Sequence, residues 1–163
     1  MKRFLEAIAA VLLITALHGV VRANVVTDWN QIMAQTALAA KTSPLVTTRV
    51  AAIVQAAVFD AVNGIERRYT PIHVQPNAPH GASRRAAAIQ AAYATLVTLY
   101  PSQQDTLDAL RTASLQAITD DGDFEDSQSI ARGIAWGQTV ADAIIAWCNT
   151  KVDATDARYT RLK

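Results

Sequence analysis

The sequence predicts an all-α fold, a helical bundle of about five helices behind an N-terminal signal peptide. Three observations carry that expectation. Half of the 163 residues are apolar but only 6% are aromatic, so the apolar content is aliphatic and largely alanine, with few strand-type clusters of Val, Ile, Thr and aromatics. Apolar residues recur at spacings of three and four in five separate stretches. Serine, proline and glycine punctuate those stretches where helices start and stop. A chain of this length supports one domain that buries about 68–70% of its unfolded surface.

The first 23 residues, MKRFLEAIAAVLLITALHGVVRA, read as an export signal. Lys2 and Arg3 give the basic start, Ala7 to Leu17 the apolar core, and Val21-Arg22-Ala23 the small or aliphatic positions before a cut after Ala23. The apolar core is far shorter than the ~20 residues a membrane-spanning helix needs. The expected location is therefore secreted or periplasmic, with membrane contact only through the signal before cleavage.

The first helix is expected over Val26 to Ala40, with Trp29, Ile32, Met33 and Ala37 on its apolar face. Ser43 and Pro44 suit the cap and first position of the second helix. Its apolar face is Val50, Ile53, Val54, Ala57, Val58 and Ala61, and Gly64 is expected to stop it in a left-handed conformation. Pro71, Pro76 and Pro79 make residues 69–81 a loop. The third helix begins at Ser83 and carries Ile89, Tyr93, Leu96, Val97 and Tyr100. Ser102 and Asp105 resemble a capping box for the fourth, whose face is Leu107, Leu110, Leu115 and Ile118. The turn TDDGDFED precedes the fifth helix, Phe124 to Cys148, in which Gly133 and Gly137 permit close helix contact. The domain is thus expected over residues 24–148, with 149–163 a polar, poorly ordered tail.

Charge and composition narrow the function. Removing residues 1–23 takes away Lys2, Arg3, Arg22 and Glu6, leaving twelve basic and thirteen acidic residues, a formal charge of −1. That balance offers no footprint for nucleic acid. The single cysteine, Cys148, excludes an intrachain disulfide and a thiolate metal cluster. His73 and His80, in the proline-bearing loop, lack the partner spacing of a metal site and read as solvated. Cys148 reads as a small buried hydrophobe. TDDGDFED does not fit the spacing of a calcium loop. Asp60, Asn63 and Arg67 remain, spaced by three and four along one side of a helix. They can form a ligand site or an internal brace, with Asp60 pairing Arg67 or Arg68 and Asn63 binding carbonyls at the helix end. The brace is the expectation, because no nucleophile or base accompanies them and buried polar groups are usually paired.

Three stretches carry a family resemblance: TRVAAIVQAAVFDAVNGIERRYTPI, PNAPHGASRRAAAIQAAYATLVTLYPSQQDTLDAL and GIAWGQTVADAIIAW. Together they resemble the N-terminal helical half of bacterial vanadium-dependent haloperoxidase-like proteins, of the type-2 phosphatidic acid phosphatase superfamily. The resemblance spans about residues 24–147. It implies a family chemistry of peroxide-dependent halide oxidation at vanadate, held by cations, backbone donors and an axial histidine. The family's oxyanion motifs lie in its C-terminal half: Lys with Arg-Pro seven residues on, Pro-Ser-Gly-His, and Ser-Arg with a distant His. This chain has no Pro-Ser-Gly-His. Lys41 is followed by Arg49 and Val50 at the wrong spacing, and Ser83-Arg84 has no matching histidine. No catalytic, cofactor-binding or metal residue is carried over. The resemblance therefore implies a secreted scaffold portion, inactive alone and holding no cofactor itself. Its partner would be a separate phosphatase-like half or a second copy. The last residues, CNTKVDATDARYTRLK, leave the family's continuation, as a shortened or frame-shifted reading frame or a natural small protein would. A stand-alone helical binding protein is the alternative.

Overall fold

Asn24 starts the first helix by accepting the Val26 amide on its side-chain oxygen at 3.0 Å, the usual way an asparagine satisfies an orphan donor. From there α1 runs Val25–Ala39, α2 Pro44–Glu66, α3 Arg84–Leu99, α4 Gln104–Asp120 and α5 Ser127–Thr160. The computed structural model describes the backbone of residues 24–120 and 125–160, and side chains as far as residue 150. The expected signal peptide, residues 121–124 of the acidic turn, and residues 161–163 lie outside the described residues. Among the described residues there are five α-helices and no strand, so the fold is the all-α bundle that the sequence predicts.

Helix α3 is the central element and touches all four others. Its Ala86, Ala87, Ile89, Ala91, Ala92 and Leu96 have no exposed surface. Alanine on every side lets neighbouring backbones come close, which an alanine-rich helix needs in order to be covered all round. Two apolar clusters result. On one side Trp29, Val54, Val58, Ile89, Leu96 and Leu107 pack together. On the other, Ile53, Ala57, Ala87, Trp136, Val140 and Ile144 do so. Helix α2 feeds both clusters from residues three and four apart. It is also apolar and long enough to cross a membrane, with a mean hydropathy of 1.6 over its best window. A core helix meets the same requirement, and α2 packs against α1, α3 and α5.

Helices α3 and α5 make the most extensive helix–helix contact. A methyl added at Gly133 would overlap the Ser83 carbonyl oxygen and lie 3.0 Å from the Ala86 Cβ. One at Gly137 would overlap the Ala87 carbonyl oxygen and lie 3.0 Å from the Gln90 Cβ. These glycines are therefore contact points, as expected for small residues on this helix.

Several expected boundaries move. Gly64 does not stop α2: it is helical and buried, and the Trp136 indole lies where its Cβ would be. Trp136 also donates its indole N–H to the Ala61 carbonyl at 2.9 Å, so the glycine serves packing. The stop is Arg67, at φ 55° and ψ 38°. A residue with a Cβ loses about 1–2 kcal/mol in that conformation. Arg67→Gly is therefore expected to stabilise the protein by roughly 0.5–1 kcal/mol, net of the added freedom of the unfolded chain. A higher denaturant midpoint at unchanged slope checks it.

Ser43 holds the N-cap position of α2, but its hydroxyl makes no capping bond. Ser102 lies in a 3-10 turn, Pro101–Gln103, that feeds directly into α4, in place of the expected capping box. Helix α5 starts at Ser127, where Asp126 accepts the Ser129 amide at 2.6 Å, three residues later than expected. It then continues twelve residues past Cys148 to Thr160, because residues 149–160 contain no glycine or proline to end it.

Candidate functional site

Asp60 and Asn63 of α2 face the loop that follows the helix. Asp60 is fully buried. Its Oδ1 accepts the Ile72 amide at 2.7 Å, and its Oδ2 accepts the His73 and Val74 amides, each at 2.8 Å. Three successive backbone N–H groups form a concave anion-binding surface, and the protein's own carboxylate fills it. Asn63, also buried, does the same one turn on. Its amide nitrogen donates to the Tyr69 carbonyl at 2.8 Å, and its oxygen accepts the Arg68 and Tyr69 amides at 3.2 and 2.9 Å. The loop has no regular structure to pair its backbone, so these two side chains satisfy it.

The brace expected from sequence exists, with different partners. Asp60 pairs with neither Arg67 nor Arg68. Arg68 lies 3.7 Å from Glu66 with its side chain 68% exposed, an arrangement worth little to stability. Glu66 also pairs with Arg84. Arg67 contributes its backbone, whose amide donates to the Asn63 carbonyl at 2.7 Å.

The remaining candidates do not converge. His73 is exposed, as expected of a loop histidine, and one face of its ring stacks flat on Trp147, ring centroids 4.7 Å apart and 9° between planes. His80 is exposed, further along the same loop. Cys148 is half-buried beside Trp147 and Ile145. Burial pushes its thiol up from the ordinary value, with Arg49 acting weakly against it. That is the opposite of nucleophile activation. Ser83 is spent as the N-cap of α3: its oxygen accepts the Ala86 amide at 3.0 Å while its hydroxyl donates to Glu125. Arg85 meets the other Glu125 oxygen at 3.0 Å, so the residues after the acidic turn are tied to the start of α3. Lys41 is an exposed left-handed residue in the α1–α2 turn, φ 52°. Among the described residues no three His, Cys, Asp or Glu side chains gather as a metal site.

Two features escape sequence reasoning. One is a polar chain across α3, α4 and α5. Arg111 donates to Gln90, which is only 4% exposed, and Gln90 donates to Gln138 at 2.7 Å. Arg111 also sits 5.2 Å over the Tyr93 ring, while the Tyr93 hydroxyl donates to Asp108. The Asp108 hydrogen bond, burial and the Asp108 charge together push the Tyr93 phenol up, against Arg111. These groups are bonded to one another and tie helices together. The only signal for them was Gln90 inside an alanine run. The other feature is a groove of about 230 Å³ between the start of α1 and the second half of α2. It is walled by Val26, Val58, Phe59, Val62 and Tyr69, with Gln55, Asn63 and Glu66 at its polar edge. Gln55, Phe59, Val62 and Glu66 form a second stripe on α2, beside the main apolar face.

Comparison with family models, with curated proteins and with solved structures gives no match to this chain.

Proposed function

We propose that the chain is a secreted helical scaffold, the N-terminal portion of a vanadium-dependent haloperoxidase-like protein, which performs no halide oxidation alone. The observation that supports this reading is how the two polar side chains inside α2 are used. Asp60 and Asn63, the residues most suggestive of a site in the sequence, spend their hydrogen-bonding capacity on residues 68–74. Both are buried and their hydrogen bonds run to that loop's backbone, so neither is presented as a cation for an oxyanion or as an accessible base. The cations and histidine that a five-coordinate oxyanion needs would come from a separate phosphatase-like half.

The purified chain, supplied with vanadate, peroxide and bromide, is expected to brominate no phenol-type indicator and to release no phosphate from a monoester. A bromination signal that requires vanadate would overturn the proposal. The coding sequence beyond the Lys163 codon is the companion test: Pro-Ser-Gly-His in any frame supports a divided or interrupted enzyme. Its absence turns the choice toward the second reading, a stand-alone binding protein, which the groove at Phe59 and Tyr69 favours.

A further inference from the structure

We infer that the groove between α1 and α2 is a binding site for a small neutral aromatic molecule. The inference stands apart from the haloperoxidase-like reading, since none of these residues is asked to do chemistry. The size sets the first limit. An apolar cavity of about 150 Å³ takes up benzene, so one of about 230 Å³ has room for a substituted ring or a small bicycle.

The walls set the second. Phe59 and Tyr69 present their rings 6.2 Å apart and tilted by 38°, an aromatic surface on which a third ring can lie offset or edge-on. Tyr69 is 65% exposed, so an occupant would cover apolar surface that now faces water. Val26, Val58 and Val62 complete the lining from α1 and α2. The site is also held in shape. Asn63 fixes the Tyr69 backbone through two hydrogen bonds, and Gln55 donates to Asn30 of α1 across the far edge. A preformed site avoids the ordering cost that weakens small-ligand binding.

The edge sets the third. Gln55, Asn63 and Glu66 each already have a protein partner. None of them calls for a strongly polar ligand, and burying an anion against the valine and aromatic walls would cost its hydration with no unpaired donor to replace it. The ligand class is thus a neutral ring with little polarity.

Indole and benzoate are the probes, added to the full chain and followed by methyl and amide NMR shifts. Indole is expected to give saturable shifts centred on Val26, Val58, Val62 and Tyr69, and benzoate none. Val62→Trp, which fills the groove from a half-buried wall, is expected to weaken indole binding by about tenfold or more. Val26→Trp does the same from α1 if Val62→Trp fails to fold by circular dichroism. The inference is overturned if indole gives no saturable shift at these residues. It is equally overturned if a folded, filled variant binds indole like the parent, or if benzoate binds as tightly as indole.

Discussion

Asp60→Ala should lower stability by about 3 kcal/mol or more, since it strands three amide donors where one unpaired buried group costs about 1–3 kcal/mol. The donors are those of Ile72, His73 and Val74, and all three now end on one carboxylate. Part of the cost is recovered if water reaches the loop, so the full sum of three is not expected. Asp60→Asn should fall between the alanine variant and the parent. Its single oxygen can keep two of the amides, but its NH2 group faces the third, donor against donor. Denaturant melts of the three proteins, compared by midpoint at unchanged slope, check the order. Equal midpoints would show that the loop is not held by this side chain.

Gly137→Ala is the other large effect, and two opposed contributions decide its sign. In an exposed helix interior the change gains about 1 kcal/mol of helix propensity. Here the new methyl overlaps the Ala87 carbonyl oxygen and lies 3.1 Å from the Ala91 amide nitrogen. Those are backbone atoms of the central helix, which cannot swing aside as a side-chain tip can. Overpacking of this kind costs about 1–3 kcal/mol and sometimes more, and the same displacement disturbs the nearby Gln90–Gln138 bond. A net loss of about 2 kcal/mol is expected, read as a lower thermal or denaturant midpoint. A stabilised variant would mean that α3 and α5 do not approach through this glycine.

The helices were legible because their evidence is local. Val50, Ile53, Val54, Ala57 and Val58 announce their face by spacing, and the structure buries all five. Pro71, Pro76 and Pro79 exclude regular structure wherever the loop goes. The partners were not legible, for a physical reason. Asp60 was matched in sequence to arginine, the side chain of opposite charge, whereas its donors are backbone amides twelve to fourteen residues on. Every residue but proline carries such an amide, so nothing in the composition marks the ones that matter. Gly64 misled similarly: a glycine near a helix end suggests a stop, and only the Trp136 indole shows that the missing Cβ is needed for contact. The groove was missed because Phe59 and Val62 fall outside the main apolar face of α2. Only the position of Tyr69 in space makes them a wall.

The buried carboxylate and amide of α2 hold the following loop. Amide hydrogen exchange at Ile72, His73 and Val74 tests it most directly. These residues have no helical or strand pairing, so an unbraced loop would exchange them rapidly. All three are expected to exchange as slowly as the interior of α2 and to become fast in Asp60→Ala, while in Asp60→Asn the amide that faces the new NH2 group becomes fast. Rapid exchange at these amides in the parent protein would contradict the brace, and would return Asp60 to the candidates for a ligand site.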